Sequence, residues 1–553
     1  MPTLNWIGKE KVINHHRDVP FKILEHIYGF NDAEGEKKEP VNSGNKIIHG
    51  DNLEALKSLL PEYEGKIKCI YIDPPYNTGN ENWVYNDNVN HPKIKKWLEA
   101  TLKAKESGKE AAIGIDDLAR HDKWLCMMYP RLKLLQKLLA DNGAIFISID
   151  DNELAHLKLI MDEIFGANNF IEYFSWKKSE TPANLSFKSK KALEYIVCYQ
   201  KKKNNTKFIG LQKKSSSDNP LIKPENSNKI LNFKKEWVLT NFKKDIKIKK
   251  GLYGTDNNKV ELLNDVEIIN GTFSNDFSLK ANFIWVQEKL EQEIAAGTEI
   301  RIKTKTLVPS YEKQNYDPEV PWNIIDSTFG VGTTQEGGDI LKEIFGEKVF
   351  DFPKTPTLIQ YLINFVCDTN SIILDSFAGS GTTAHAVLNL NKQDGGNRKF
   401  ILVEMEDYAN TITAERVKRV INGYGNKEGT GGNFDYYELG KPLFVGENNE
   451  YLNEEVDTQK IREYIWYSET RKAFEQQETK SDTPYFLGKK EGTAYYFIYE
   501  KESLTTLDYD TLSTIKTKAG QYVIYADNCL LPKDFMMKKN IVFKKIPRDV
   551  TRF

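Results

Sequence analysis

Ile67-Lys68-Cys69-Ile70-Tyr71-Ile72-Asp73-Pro74-Pro75-Tyr76 is an apolar run that stops at an acid, two prolines and an aromatic ring. A short β-branched run closed by proline reads as a buried strand. Proline fixes its own backbone angle and keeps the preceding residue extended, so Asp73 and Pro74 should leave the strand with their carbonyls facing outward. The pattern returns far downstream in Ser371-Ile372-Ile373-Leu374-Asp375-Ser376-Phe377-Ala378-Gly379-Ser380-Gly381-Thr382-Thr383, where a second apolar run passes through a glycine turn into a helix.

Working outward, strands are predicted to end at His49, Ile72, Ser148 and Tyr199 in the first part of the chain, and at Leu374 and Val403 in the second. Helices are predicted over Asn52 to Leu60, Asp122 to Ala140, Asn152 to Phe165, Pro356 to Cys367 and Thr382 to Leu390. This alternation predicts an α/β fold with a doubly wound, Rossmann-like, mostly parallel sheet. Such sheets hold ligands outside the carboxyl ends of their strands, so Asp73 and Asp375 are expected to meet in one cleft.

The first motif answers a chemical problem. An exocyclic amine on a nucleobase is a poor nucleophile because its lone pair is delocalised into the ring. The Asp73 carboxylate and the Pro74 carbonyl can each accept one amine hydrogen and free that lone pair, while Pro75 stiffens the turn. Tyr76 offers a flat face for an unstacked base, a contact worth about 1–3 kcal/mol. That is the equipment of a base-flipping enzyme. The plainer reading is a strand-terminating turn, for which proline and aspartate are common.

The second motif is expected to expose backbone N–H groups at a helix start. A phosphate loop would carry Lys after its last glycine, and Thr382-Thr383 stand there instead. The next strand, Lys399 to Val403, ends at Glu404, where an acid can accept hydrogen bonds from both hydroxyls of a ribose. The expected ligand is a nucleoside without a demanding phosphate, and S-adenosylmethionine fits. Phe377, Ala378, Ser380 and Thr382 complete the candidate cofactor turn around Gly379 and Gly381.

On these residues the chain resembles the β-group amino-methyltransferases of DNA, in which the catalytic half precedes the cofactor half. Further stretches are similar to the modification (Mod) subunits of type III restriction–modification systems. They are Gly50-Asp51-Asn52-Leu53-Glu54-Ala55-Leu56, Asn77-Thr78-Gly79, Lys123-Trp124-Leu125, Met128-Tyr129-Pro130-Arg131-Leu132, Gly143 to Asp151, Val349 to Pro356 and Ile541 to Asp549. The resemblance implies that Asp73, Pro74 and Tyr76 hold the target base and that Asp375, Gly379, Gly381 and Glu404 bind S-adenosylmethionine. It places Phe352 and Lys354 in an additional cofactor element, with Lys354 reaching the methionine carboxylate; an ordinary solvated lysine is the rival reading. Asp51 matches the acid that contacts the cofactor's adenine, against a helix N-cap. An acid at position 73 favours N6 of adenine, with N4 of cytosine, a non-catalytic DNA-binding subunit and RNA modification as alternatives. The implied partners are double-stranded DNA, a second copy of the chain in a homodimer, and a restriction (Res) helicase–nuclease subunit.

The chain has 553 residues, more than one core normally supports. The expected domains are a catalytic half over 1–200, a target-recognition insertion over 201–320, a cofactor half over 321–434 and a small α+β subunit-interaction domain over 435–553. Asp32 to Asn45 and the glycine-rich Asn422 to Phe434 read as mobile connections. The net charge of −2 conceals a basic block, because Lys177 to Lys250 carries twenty lysines against six acids. Lys177, Lys178, Lys188, Lys190, Lys191, Lys234, Lys235, Lys243 and Lys244 are candidate phosphate contacts. The interleaved Phe187, Phe233, Trp237, Asn241 and Phe242 suit the same surface.

The five cysteines stand singly, so neither a disulfide nor a zinc site is expected. The eight histidines form no spaced cluster, and His15-His16 reads as surface. No apolar stretch reaches the length of a membrane span, and Met1 to Lys11 lacks a signal-peptide core, which predicts a cytoplasmic protein with no membrane partner; the resemblance implies a prokaryotic one.

Overall fold

The computed structural model describes residues 4–78, 115–182, 188–210, 219–255, 258–313, 319–446, 449–475 and 484–551. Gly79 and Phe187, singled out from sequence, lie outside the described residues. The chain divides into two compact units, Met1–Phe208 with Trp322–Phe553, and Ile209–Pro321.

The first unit is organised by an eleven-stranded sheet. Its centre is six parallel strands in the spatial order Leu139–Ile149, Ile67–Ile72, Ile372–Asp375, Lys399–Glu404, Lys46–His49 and Asn433–Pro442. Antiparallel strands, including Leu193–Gln200 and Lys22–Asn31, extend both sides. Ile67–Ile72 leads to a neighbour on one side and Ile372–Asp375 to a neighbour on the other, so the winding reverses between these two adjacent strands. That reversal opens the crevice in which α/β sheets bind ligands.

Helices cover both faces for reasons visible in the sequence. Asn52–Tyr63 starts where Asp51 Oδ1 accepts the Glu54 N–H at 3.0 Å, and it buries Leu53, Leu56, Leu59 and Leu60. Pro356 opens Pro356–Val366 at a position where no amide donor is needed. Thr382–Asp394 ends at Gly395 in the left-handed conformation. Ile115–Leu138 and Leu154–Met161 complete the layer behind the Asp73 strand.

Three features differ from the sequence reading. The boundary expected at 434/435 falls inside the sheet strand Asn433–Pro442, because Tyr436 and Phe434 pack into the core against Tyr28 and Phe30. The four-stranded sheet that follows, Phe486–Lys490, Thr493–Phe497, Gln521–Ala526 and Ile541–Lys545, belongs to the same compact unit. The stretches read as mobile carry hairpin pairings, Gly35–Lys37 on Gly29 to Asn31 and Gly423–Tyr424 on Lys427–Glu428. Asp435 adds an anchor by accepting the N–H groups of Val41 and Asn42. His15 and His16 are buried rather than surface residues, and burial together with nearby Lys137, Lys133 and Lys57 lowers His16 to about 3.

The second unit is mainly β. Lys229–Phe233, Phe277–Ala281, Lys259–Leu262 and Gly251–Gly254 form one four-stranded sheet, and Val238–Thr240, Glu299–Ile302, Pro309–Glu312 and Asn219–Pro220 a second. Phe233 is buried against Phe277 and Phe283, and Trp237 and Phe242 pack on the same core. These aromatics therefore build the unit's interior, and the candidate lysines stand in the turns between its strands. Lys234, Lys235, Lys243 and Lys244 are exposed. All five cysteines are free thiols, and among the described residues no helix is long and apolar enough to cross a membrane.

Candidate active site

Asp73 and Asp375 follow adjacent parallel strands, with Ile70 opposite Leu374 in register. Around Asp73 the protein assembles a compact polar cluster. Tyr76 donates its hydroxyl to Asp73 Oδ1 at 2.8 Å, and Lys354 donates to Asp73 Oδ2 at 2.6 Å. Glu194, at the start of an antiparallel strand, accepts from Lys178 at 2.8 Å, and its Oε2 lies 3.1 Å from the Tyr76 oxygen, where it competes with Asp73 for the single hydroxyl hydrogen, and 3.5 Å from Lys354 Nζ. Burial penalises the Glu194 charge, but Lys354 and Lys178 more than offset it and hold the carboxyl below its ordinary range. Burial likewise opposes the Lys354 charge, and Asp73 and Glu194 overcome it, so the ammonium is held above its ordinary range.

The tetrapeptide is pinned from behind. Trp124 Nε1 donates to the Pro75 carbonyl at 2.7 Å. Asn77, in the left-handed region at φ 60°, donates to Glu153, which is fully buried and also accepts from His121 Nδ1 at 2.5 Å and His156 Nδ1 at 2.9 Å. These three side chains form a His–Glu–His grouping that linear spacing does not reveal.

The glycine turn is built differently from the expectation of exposed amides. Phe377 N–H donates to Asp375 Oδ1, Ala378 N–H to the Val403 carbonyl, Gly379 N–H to Glu404 Oε2 at 2.7 Å and Gly381 N–H to the Ala378 carbonyl. With those four amides turned inward, the loop is unsuited to a phosphate. Gly381 has φ 82°, and a Cβ there would meet the Thr413 carbonyl at 3.0 Å, so the turn requires glycine. Arg416, fully buried, donates to Ser380 Oγ and Thr382 Oγ1 at 2.8 Å each and clamps the turn from below.

Two buried acids flank this turn. Asp375 also accepts from Thr383 Oγ1 at 2.5 Å, yet burial raises it to about 7, with Asp73 and Glu404 adding to the effect. Glu404 accepts from the N–H groups of Gly379, Met405 and Glu406, and burial still raises it to about 7. Asn52 links this part to the helix behind it, donating to the Ser376 carbonyl at 3.1 Å and accepting from Arg131 Nε at 2.5 Å.

The N6/N4 methyltransferase family model, described as DNA methylase, matches residues 67–415. This chain belongs to the N6/N4 DNA methylase family. It is similar to the type III restriction-modification enzyme StyLTI Mod subunit of Salmonella typhimurium, 30% identical over 66% of this chain and 53% of that protein. It is also similar to the EcoPI Mod subunit of Escherichia phage P1, 32% identical over 74% of this chain and 64% of that protein. The type II methyltransferase M.KpnI of Klebsiella pneumoniae is 30% identical over 68% of this chain and 84% of its own length. The chain thus spans about half to two thirds of the two type III relatives it matches.

Not every residue expected in the methylase site sits as expected. Lys354 faces Asp73 rather than standing in solvent, and its carbonyl accepts from Thr382 Oγ1 at 3.3 Å, so it touches both motifs. Phe352 is 82% exposed at φ 51°, whereas Phe350 lies beside the glycine turn, 3.4 Å from where a Gly379 Cβ would be. Asp51 caps its helix through Oδ1, and its Oδ2 is 3.6 Å from Arg131 Nη2. Lys178 is committed to Glu194, Lys191 to Asp151 and Lys177 to Glu180, while Lys188 and Lys190 are exposed. Glu194 and Arg416 carried no local signal, and Asn52, Arg131 and Phe350 stood within stretches of the resemblance without a role of their own, because each acts through a partner distant in sequence.

Proposed function

We propose that this chain is a site-specific DNA methyltransferase that moves a methyl group from S-adenosylmethionine to N6 of an adenine flipped out of duplex DNA, serving as the modification subunit of a type III restriction–modification system. The observation that carries the reading is the placement of Asp73 and Asp375 at the ends of adjacent parallel strands where the sheet reverses its winding. The donor set fits the cofactor: two buried acids, Asp375 and Glu404, bracket a glycine turn whose amides are used internally, which suits a ribose and an ammonium better than a phosphate. Both Asp375 oxygens and Glu404 Oε2 accept one hydrogen bond each and keep a second lone pair for such donors, whereas Glu404 Oε1 already accepts two backbone N–H groups.

When bound, S-adenosylmethionine supplies a methyl group already activated by its sulfonium. The protein supplies the acceptor side. Asp73 and the Pro74 carbonyl take one amine hydrogen each and draw the lone pair out of the ring plane, and Tyr76 supports the base by stacking. With the methyl group supplied from that sulfonium, the surplus amine proton would pass toward Asp73 and solvent. Positioning supplies the greater part of the rate. Asp51 Oδ1 serves the helix cap, so a contact to the cofactor's adenine falls to Oδ2, which also pairs with Arg131 Nη2 at 3.6 Å.

Unit Ile209–Pro321, with its exposed lysines, is the proposed target-recognition domain, and the C-terminal sheet the proposed contact surface for a second copy of the chain and a Res subunit. The relatives' names support the last assignment. The test is sequencing of DNA from a methylation-free host expressing the native protein or Asp73→Ala, scoring N6-methyladenine and N4-methylcytosine by motif. A single adenine motif absent from the variant is the expected result; a cytosine motif would transfer the reading to N4, and no modified DNA would overturn it.

A further inference from the structure

Lys354 Nζ stands on the two groups that the proposed reading assigns to the target base. It donates to Asp73 Oδ2 at 2.6 Å, and it lies over the Tyr76 ring at 5.1 Å from the centroid. Tyr76 occupies Asp73 Oδ1. Each oxygen of the acceptor carboxylate therefore already accepts one hydrogen bond from the protein itself, and the aromatic face on which the base would lie carries a cation. An exocyclic amine stacked on Tyr76 and bonded to Asp73 would need the same volume.

The cluster also holds a second seat for the ammonium. Glu194 Oε2 is 3.5 Å from Lys354 Nζ, beyond a full hydrogen bond but within an ion pair, and Glu194 is buried. Lys178 holds its other oxygen, and the Tyr76 oxygen lies 3.1 Å from Oε2. Two carboxylates and two ammonium groups thus balance in charge. A lysine that stayed on Asp73 would place a positive charge against a cationic sulfonium and would cancel the carboxylate that polarises the amine. A lysine moved to Glu194 keeps its own charge paired and leaves Asp73 negative, facing the sulfonium.

We propose that the Lys354 ammonium is a placeholder for the target amine, holding Asp73 and Tyr76 in the arrangement the base needs, and that entry of the base drives it from Asp73 onto Glu194. The inference rests on the methyltransferase reading above. The Lys354 carbonyl, bonded to Thr382, anchors the backbone at the cofactor turn, so the side chain alone makes the move.

Base capture can be read without turnover, from the fluorescence of a 2-aminopurine placed beside the target adenine in a duplex carrying the sequenced motif. The proteins are native, K354M, E194Q and K354M/E194Q, with S-adenosylmethionine affinity measured by calorimetry on each. Removing a competing charge-assisted hydrogen bond should tighten base capture in K354M by about tenfold. E194Q, which lacks the receiving charge, should weaken it by a similar factor. In K354M/E194Q the second change should have no further effect, since the ammonium it receives is gone. The double variant also removes one charge of each sign, so it keeps the test open if K354M alone loses its fold. Base capture is read at saturating S-adenosylmethionine, because Lys354 also belongs to the candidate cofactor element and its loss can weaken cofactor binding as well. A K354M or double variant that captures the base no better than native, or that loses cofactor affinity while capture is unchanged, would overturn the placeholder. A native protein that methylates no DNA would overturn the reading beneath it, and the placeholder with it.

Discussion

Lys354 and Asp73 are joined by a 2.6 Å ion pair across 281 positions of sequence, and this pairing ties the cofactor half of the chain to the catalytic half. Because Lys354 also reaches Thr382 through its carbonyl, a disturbance at either motif is felt at the other.

Asp73→Ala removes the acceptor for the target amine but leaves the glycine turn intact. Methyl transfer should fall by about 10²–10³-fold or more, as when a positioned polar group is removed from an active site, while calorimetry still detects cofactor binding. Transfer at the native rate would disprove the assigned role.

Trp124→Phe keeps an aromatic ring in place and deletes the 2.7 Å hydrogen bond to the Pro75 carbonyl. Stability should drop by about 1 kcal/mol in denaturant unfolding. The turnover number should fall more than the loss of stability accounts for, because the tetrapeptide loses its rear support.

Arg416→Met takes a buried guanidinium away from Ser380 and Thr382, stranding the Ser380 hydroxyl under the glycine turn while Thr382 keeps its bond to the Lys354 carbonyl. The stranded group costs about 1–3 kcal/mol. A lower melting temperature and weaker S-adenosylmethionine binding are expected, and Arg416→Lys should recover only part of either, since an ammonium cannot reproduce the guanidinium fork.

Asp375 and Glu404 both have folded-state values raised to about 7 by burial, from ordinary values of 3.8 and 4.5. The folded protein therefore binds these protons more tightly than the unfolded chain. The stability they confer is complete below about pH 4 and is lost as the pH rises through about 7. Melting temperatures measured from about pH 5 to 8 should decline more steeply for the native protein than for Asp375→Asn. Parallel curves would refute the assignment.

Lys243→Ala with Lys244→Ala removes two exposed charges from the proposed target-recognition unit. DNA affinity should weaken alike on all sequences, and the slope of log affinity against log salt should shrink by about one for each phosphate left without its lysine. An unchanged slope would place the phosphate-binding lysines elsewhere.

Local physics makes much of this legible in the chain itself. Ile67 to Ile72 and Ile372 to Leu374 are too apolar and too short to be anything but buried strands, and the prolines and glycines after them leave few backbone options. Most strand and helix limits read from sequence agree with the fold within four residues because caps and turn residues act over one or two peptide units, whereas the helix read from Asp122 begins at Ile115 and gives way to a strand at Leu139. The sequence alone therefore determined the α/β class, the two motifs and the acids within them.

Tertiary structure decided which side chains meet. That Phe233 and Trp237 face a core, that His16 is buried, that Lys178 serves Glu194 and that Phe350 rather than Phe352 lines the turn all depend on packing between distant segments. The joining of Lys354 to Asp73 and Glu194 is of the same kind. Burial and ion pairing depend on which strand lies next to which, and a linear sequence carries no local record of that adjacency.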